Sequence, residues 1–297
     1  MTDREDTDDV QELCGTAALW LLADDWTYRT SSSRHRRDRV MVLASGPKAF
    51  PKARSAHDLV AQGIGHSIMQ GHFPVGSTLP GDTELMGHFG VSRTALREAM
   101  KTLAAKGLIE SKTKVGTKVL GRHHWNMFDP DIIEWHLDLG VDVQFLGWLF
   151  EIRQALEPLA CATAALRRTP DQVEEMRHAL LAMCRCEKSR QGFTKADLAF
   201  HRAILEASAN PFLQSIGSVI GAALATSFTI SSPVSSDEQF RRVMEQHQAV
   251  FDAIEAGKPA TAAEAMSDLI LRAAERVGIR TKKSALAAPP VHAFSEA

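Results

Sequence analysis

The sequence has few of the features that mark a secreted, disulfide-stabilised or membrane-spanning protein. Its four cysteines, Cys14, Cys161, Cys184 and Cys186, are too unevenly spaced for a disulfide framework, and the C-x-C pair has no second pair with which to bind zinc. We identify no uncharged apolar stretch of the roughly 18 residues that a spanning helix needs. The acidic N-terminus has the wrong charge for a secretory leader. We therefore expect a cytoplasmic protein that does not contact a membrane.

Strand signals are also scarce, whereas helical periodicity is abundant. Apolar residues return at every third or fourth position in segments such as 59–68, 96–103 and 145–156. The 297 residues are enough for about two domains of roughly 100 to 200 residues each. With 44% hydrophobic and 24% charged residues, the composition is typical of folded soluble proteins. We predict a mainly α-helical protein.

The formal net charge of -2 hides an uneven distribution along the chain. Residues 51–124 contain ten Lys and Arg against five Asp and Glu, a net charge of +5. Residues 125–280 contain fifteen against twenty-one, a net charge of -6. Lys and Arg supply most of the affinity for nucleic acid that does not depend on sequence, so the basic part is a candidate for contact with a polyanion. The alternative is two oppositely charged domains that meet no polyanion.

Breaks in the periodicity divide the chain into five parts. The predicted parts are a disordered N-terminal extension at 1–50, a winged helix-turn-helix domain at 51–124, a linker at 125–144, an all-helical bundle at 145–280 and a flexible tail at 281–297. Within the bundle, Pro, Gly, Asn and Ser residues place breaks near Thr169, Gly192, Asn210, 231–236 and 257–259. These breaks predict about six or seven helices.

Residues 57–120 follow the order helix, turn, short helix, tight turn, helix and hairpin, which is the order of a winged helix-turn-helix. Asp82 is positioned to cap the second helix, and Gly90 tolerates a positive φ in the tight turn. The third helix, at 92–106, has Arg93, Thr94 and Arg97 near the N-terminal end that reaches base edges in the major groove. Alone, these residues would be an ordinary solvated helix face. The surrounding scaffold favours DNA binding.

The segment LPGDTELMGHFGVSRTALREAMKTLAAKGLI at 79–109 resembles the DNA-binding domain of the GntR family of bacterial transcription regulators. The resemblance implies that Ser92, Arg93, Thr94 and Arg97 contact the operator. It also implies that the wing near Lys112, Lys114 and Gly116 enters the adjacent minor groove. Members often have a Gly-x-Gly turn in the wing, whereas this chain has KVGT at 114–117.

Four segments after the linker resemble the FCD-type effector domain of the FadR-like branch of that family. They are EIRQALEP at 151–158, DLAFHRAI at 197–204, ASANP at 207–211 and HQAVFDAIEAG at 247–257. Each match is short, but all four occur in the order that the family has. The resemblance implies an all-helical domain that binds a small effector.

Two residues of this domain have the spacing of metal ligands. Asp197 and His201 are four residues apart, so they project from one face of a helix, and a carboxylate with an imidazole is a common start to a Zn or Ni site. His247 is the candidate third ligand. A hydrogen-bonded pair without metal is the alternative. Many members have a fourth ligand, a histidine 22 residues further on, where this chain has Leu269. We therefore expect a three-ligand site for a divalent metal, with zinc as the first choice and nickel or another divalent ion as alternatives.

A metal with open coordination positions would attract a small oxyanion, and Arg153 offers a guanidinium matched to a carboxylate. Arg272 and Arg276 follow Leu269 by three and seven residues, so we expect them on the same side, where they could hold a second group or form surface ion pairs. Asn210 is the fourth candidate contact for the effector. The segment WNMFDPDIIEW at 125–135 resembles the linker of regulators of sugar-acid catabolism, which indicates an aldonate such as galactonate or gluconate.

These observations predict a repressor. We expect it to be a homodimer, because two-fold dimers that read two half-sites are the usual form of helix-turn-helix proteins. Phe145, Trp148, Leu149, Phe150 and the small residues 221–225 are candidates for the subunit contact as well as for the core of the second domain, and sequence does not separate these two roles. One alternative is a metal-dependent enzyme that uses Asp197, His201 and His247, although the chain has no HExxH motif or nucleophile elbow. The other is a DNA-binding protein without effector control.

Overall fold

The structure is a computed structural model that describes residues 55–112, 115–140, 142–186, 189–230 and 232–279. Lys114 of the basic wing turn lies outside these residues. The expected N-terminal extension at 1–50 and the expected tail at 281–297 also lie outside them.

The first part of the described chain is a winged helix-turn-helix, as predicted. Helices α1 (Ala56–Met69), α2 (Asp82–Phe89) and α3 (Arg93–Ala105) precede strands β1 (Ile109–Lys112) and β2 (Gly116–Val119). The strands pair antiparallel, with Ile109 opposite Val119 and Lys112 opposite Gly116. An isolated bridge between Thr78 and Lys118 adds a third segment to the wing.

The residues at the start of α2 and α3 can be compared with the sequence predictions. The Ser92 hydroxyl accepts a hydrogen bond from the Ala95 amide at 3.2 Å, which caps α3. Gly90 has a φ of 61°, in the left-handed region expected for the turn between α2 and α3. The prediction for Asp82 is wrong by one residue, because Gly81 occupies the N-cap without a side-chain bond. Asp82 instead lies in the first turn, where its negative charge complements the helix dipole.

The linker is a packed element. Helix α4 (Pro130–Asp138) follows a 3-10 turn at Arg122–His124. Ile132 and Trp135 belong to the hydrophobic core of the winged helix domain, whereas Ile133 belongs to the core of the second domain. The Lys106 ammonium, at the C-terminal end of α3, lies 2.7 Å from carboxylate oxygens of both Asp129 and Asp131 at the start of α4. Two ion pairs therefore connect the start of α4 to the C-terminal end of α3.

The second domain is all-helical. Its elements are α5 (Val143–Arg167), α6 (Pro170–Cys184), α7 (Arg190–Ala207), α8 (Pro211–Gln214), α9 (Gly217–Ile230), α10 (Asp237–Glu255) and α11 (Pro259–Arg276). Seven α-helices among the described residues agree with the predicted bundle. The break predicted near Gly192 lies slightly earlier, between Cys184 and Arg190; Gly192 itself is in the first turn of α7, where its amide donates to the hydroxyl of the N-cap Ser189 at 3.1 Å.

Our expectation that no apolar stretch is long enough to span a membrane is wrong. The segment Pro211–Ser235 is uncharged over 25 residues and is apolar enough to meet the length and composition of a membrane span. Buried core helices meet the same criterion, and Ile220, Ala223 and Leu224 of this segment belong to the core of the second domain.

The contact between α1 and α4 generates a prediction. A Cβ atom at Gly65 would lie 2.5 Å from the Trp135 ring, so Gly65→Ala would push α4 away from α1. A matched control is Gly87→Ala, since Gly87 also lies inside a helix but has open space around it. Both changes favour the helix by a similar amount. We expect Gly65→Ala to be less stable than Gly87→Ala by about 1–3 kcal/mol, the usual cost of overpacking.

Denaturant unfolding followed by tryptophan fluorescence measures this difference. Equal stability of the two variants would mean that the Trp135 ring moves aside without cost.

Candidate DNA interface and metal centre

The N-terminal end of α3 presents the predicted DNA-reading residues to solvent. Ser92, Arg93, Thr94 and Arg97 are all exposed. The opposite face of the helix packs into the core through a different set of side chains, Leu96, Ala99 and Leu103. This amphipathic arrangement leaves the polar end free to enter a major groove.

The wing presents a smaller basic surface. Lys112 and Gly116 are exposed at the ends of β1 and β2. Gly116 has a φ of 98°, and a Cβ atom there would lie 2.8 Å from the Thr78 methyl group, so the turn requires glycine. The Lys112 ammonium lies 3.0 Å from a Glu110 oxygen, but both side chains are half exposed, so this ion pair contributes little. Lys112 thus remains available for a phosphate.

The three candidate metal ligands come together inside the helical domain. Asp197 and His201 project from α7 and His247 from α10, and all three side chains are buried. One donor atom from each lies within 4.8 Å of the other two. The three residues that the sequence predicts as a cluster therefore lie close together in the structure.

Hydrogen bonding determines which nitrogen His247 offers. Its Nδ1 lies 2.7 Å from the Val243 carbonyl oxygen, a contact that requires a proton on Nδ1. In the neutral ring, Nε2 then has a lone pair, which faces the Asp197 Oδ1 atom at 2.6 Å. Two lone pairs at this distance repel each other. Either a proton on Nε2 or a cation bound to both atoms removes the repulsion, so this pair fits a divalent metal.

His201 has a similar arrangement with a side chain as its partner. Its Nδ1 lies 2.5 Å from Glu157 Oε2, and its Nε2 lies 3.7 Å from Asp197 Oδ1. The Nε2 atoms of both histidines and Oδ1 of Asp197 are buried and face one another, with no well-aligned hydrogen bond. Buried polar atoms are usually satisfied, so three such atoms in one cluster are typical of a binding site.

Both buried carboxylates are held ionised by their neighbours. Burial raises the pKa of Glu157, but attraction to Arg153 and His201 outweighs it and lowers the pKa to about 2. Burial also raises the pKa of Asp197, and attraction to His247, His201 and Arg153 again gives a net lowering. A metal would therefore meet an ionised Asp197 at neutral pH.

Two arginines lie close to this cluster. Arg153 is fully buried, and its Nε donates to Glu157 Oε1 at 2.5 Å. Its Nη1 and Nη2 atoms are buried without a hydrogen-bond partner. Burial lowers the pKa of Arg276, which interacts electrostatically with Asp197 and Arg153. Two guanidinium groups near one site favour an anionic ligand.

The other two candidate effector residues make contacts outside this cluster. Arg272 is 65% exposed and pairs with Glu275 at 3.2 Å, so our expectation that it lies on the same side as Arg276 is wrong. Asn210 has a structural role, since its side-chain oxygen accepts from the Phe212 amide at 3.0 Å and caps α8.

The fourth ligand position holds no donor. Leu269 is buried in the core of the second domain, and the neighbouring Asp268 is exposed. Three protein donors leave coordination positions open for a ligand or water, as in catalytic rather than structural zinc sites.

Sequence reasoning missed Glu157, which contacts both Arg153 and His201. A signal was present, because Glu157 follows Arg153 by four residues and therefore shares its helix face. Sequence alone did not show that this face is buried.

Comparison with known proteins agrees with this architecture. The family model of bacterial regulatory proteins of the gntR family matches residues 57–119, and the FCD domain model matches residues 149–272. The solved structure of Lar, described as controlling the expression of the Listeria monocytogenes agr system, covers 77% of this chain and 99% of its own, with a TM-score of 0.52. At 18% identity, this likeness concerns the fold alone.

Two relatives from Escherichia coli K12 are more similar in sequence. An uncharacterised HTH-type transcriptional regulator, YieP, is 35% identical over 66% of this chain and 84% of its own length. The galactonate operon transcriptional repressor is 32% identical over 66% of this chain and 86% of its own length. A winged helix-turn-helix joined to an FCD domain defines a DNA-binding transcription regulator with a domain for a small-molecule effector. The chain belongs to the GntR family.

The exposed end of α3 generates a prediction for DNA binding. Arg93→Ala should weaken operator binding by about 1–3 kcal/mol and relax the preference for one base pair, because Arg reads base edges. Lys101→Ala is the control, since Lys101 is an exposed cation two turns further along α3. Fluorescence anisotropy on the operator and on single-base variants measures both effects. Equal losses on every sequence would contradict base reading by Arg93.

Proposed function

We propose that this regulator is a repressor whose affinity for operator DNA is controlled by a small organic acid bound at a divalent metal ion. In this proposal Ser92, Arg93, Thr94 and Arg97 read the operator in the major groove. The wing residues, Lys112, Lys114 and Gly116, contact the adjacent minor groove. The likeness to the galactonate operon repressor supports the direction of control.

The metal ligands in this proposal are Asp197, His201 and His247. The observation that carries the proposal is their convergence, with three buried donor atoms that face one another without a well-aligned hydrogen bond. One carboxylate and two neutral imidazoles form a donor set that zinc accepts, and nickel or another divalent ion also suits them. The metal would act as a Lewis acid that binds an oxygen of the effector.

The effector in this proposal is a sugar acid such as galactonate or gluconate. The two free Nη atoms of Arg153 match a carboxylate, and Arg276 supplies a second positive charge nearby. The likeness to a galactonate operon repressor supports this class of ligand. Asn210 and Arg272 take no part in the site as we now propose it.

We also propose a cytoplasmic homodimer that does not contact a membrane. Of the residues that the sequence offered for either the core or the subunit contact, Phe145, Leu149 and Phe150 are buried in the core of one chain, whereas Trp148 is 36% exposed. Leu159 and Leu166 are better candidates, because they lie seven residues apart on one face of α5 and are 36% and 52% exposed.

The metal can be tested by elemental analysis after purification without chelators. We expect about one divalent ion per chain. Asp197→Asn should remove the ion, because an amide is a poor ligand beside two imidazoles. The control is Asp252→Asn, which changes an exposed carboxylate on α10. Metal-free protein from the wild type would contradict the proposed site.

The effector can be tested by thermal shift with a panel of sugar acids, each with and without zinc. A ligand at a hundred times its Kd stabilises the folded state by about 2.7 kcal/mol. Arg153→Gln should abolish the shift, whereas Arg272→Gln should retain it because Arg272 faces solvent. A shift that is equal in both variants would exclude Arg153 as the carboxylate partner.

A further inference from the structure

Glu157 lies between the metal ligands and the arginine of the proposed effector site. The side chain is buried on α5, and each of its two oxygens contacts a different residue. Oε1 accepts from Arg153 Nε at 2.5 Å, and Oε2 lies 2.5 Å from His201 Nδ1. One carboxylate therefore contacts both a metal ligand and the group that would bind the anion.

We propose that Glu157 is a positioning residue that orients His201 for the metal and Arg153 for the effector carboxylate at the same time. The inference rests on the proposed metal site. It adds Glu157 to that site as a residue that binds neither the metal nor the effector. Its consequence is that metal binding and anion binding depend on a single side chain.

Metal binding by His201 depends on where its ring proton lies. A histidine that binds a metal through one ring nitrogen usually donates its other N–H to a carboxylate or carbonyl, which fixes the tautomer and makes the ligand more basic. Glu157 Oε2 is placed to receive that proton from Nδ1, which leaves Nε2 for the metal beside Asp197. The Val243 carbonyl does the same for His247.

The contact between Glu157 and His201 is short but poorly aligned. Both Oε2 and Nδ1 are among the buried atoms without a well-aligned hydrogen bond. A cation at Nε2 would polarise the Nδ1–H bond and strengthen its attraction to the carboxylate. We therefore expect metal binding and the contact with Glu157 to stabilise each other.

Anion binding by Arg153 depends on the direction of its guanidinium group. Because this group is planar, a bond to Nε also fixes the plane that contains Nη1 and Nη2. Glu157 uses Nε and leaves both Nη atoms without a partner. These are the two donors that a carboxylate accepts side by side.

A purely structural ion pair would be the simpler explanation, but it accounts for less. Replacing a buried ion pair with apolar side chains is often neutral or stabilising, so stability alone gives little reason for charges here. An ion pair between Glu157 and Arg153 also does not require the second oxygen to lie on a metal ligand. Metal affinity distinguishes the two explanations.

The test compares Glu157→Gln with Glu151→Gln. Glu151 is an exposed glutamate on the same helix, so its replacement is a matched change without contact to the site. An amide at position 157 is a weaker acceptor for His201 and cannot accept from both neighbours, since its nitrogen would face a donor. Zinc affinity is measured by competition with a chromophoric chelator. We expect Glu157→Gln to weaken zinc binding about 10-fold and Glu151→Gln to leave it unchanged.

A second measurement does not depend on whether Glu157→Gln folds. Nitrogen-15 NMR of the histidine rings in the zinc-loaded wild type identifies which nitrogen of His201 binds the metal. We expect Nε2 to bind zinc and Nδ1 to be protonated. Zinc bound through Nδ1 would overturn the inference, because that nitrogen could not then donate to Glu157.

The outcomes separate this inference from the proposed function. Wild-type protein that binds neither zinc nor another divalent ion would overturn both. Equal zinc affinity of the wild type and Glu157→Gln would overturn the role of Glu157 alone, and the metal centre would stand. A weaker affinity in Glu157→Gln together with zinc on Nε2 supports both.

Discussion

Charge buried in a helical core is the constraint on which the second domain depends. Arg153, Glu157 and Asp197 are all shielded from water, where an ionised group is costly unless it is paired. The two carboxylates have lowered pKa values because cationic neighbours surround them. The guanidinium Nη atoms nevertheless have no hydrogen-bond partner. Such incomplete pairing is typical of a site built to bind a ligand, because a core selected for stability alone would be apolar.

The winged helix domain could be predicted almost completely because its determinants are local. Gly90 and Ser92 act through backbone conformation and a cap within three residues, so their effects are evident in a short stretch of sequence. The error at Asp82 is one residue and has the same origin, since Gly81 and Asp82 are both acceptable N-cap residues. The extent of the linker was harder to predict, because whether α4 packs depends on the distant Gly65 and Lys106.

The site in the second domain was predictable only where helical spacing determines it. Asp197 and His201 share a face by their four-residue spacing, whereas no local spacing relates His247 to them. Arg272 shows where spacing misleads. Three residues after Leu269 amount to a rotation of roughly 60° from its direction, but seven residues amount to only about 20°. Arg276 consequently follows the buried side of α11 and Arg272 turns to solvent.

Two consecutive residues of α4 belong to different hydrophobic cores, Ile132 to the first and Ile133 to the second. Rotating this helix would withdraw one of them from its partners, so neither domain can repack without affecting its neighbour. A hybrid regulator that joins this DNA-binding domain to a foreign sensor should accordingly be spliced after Gly140. A junction before Trp125 would remove the side chains of Trp125, Ile132 and Trp135 from the hydrophobic core of the winged helix domain.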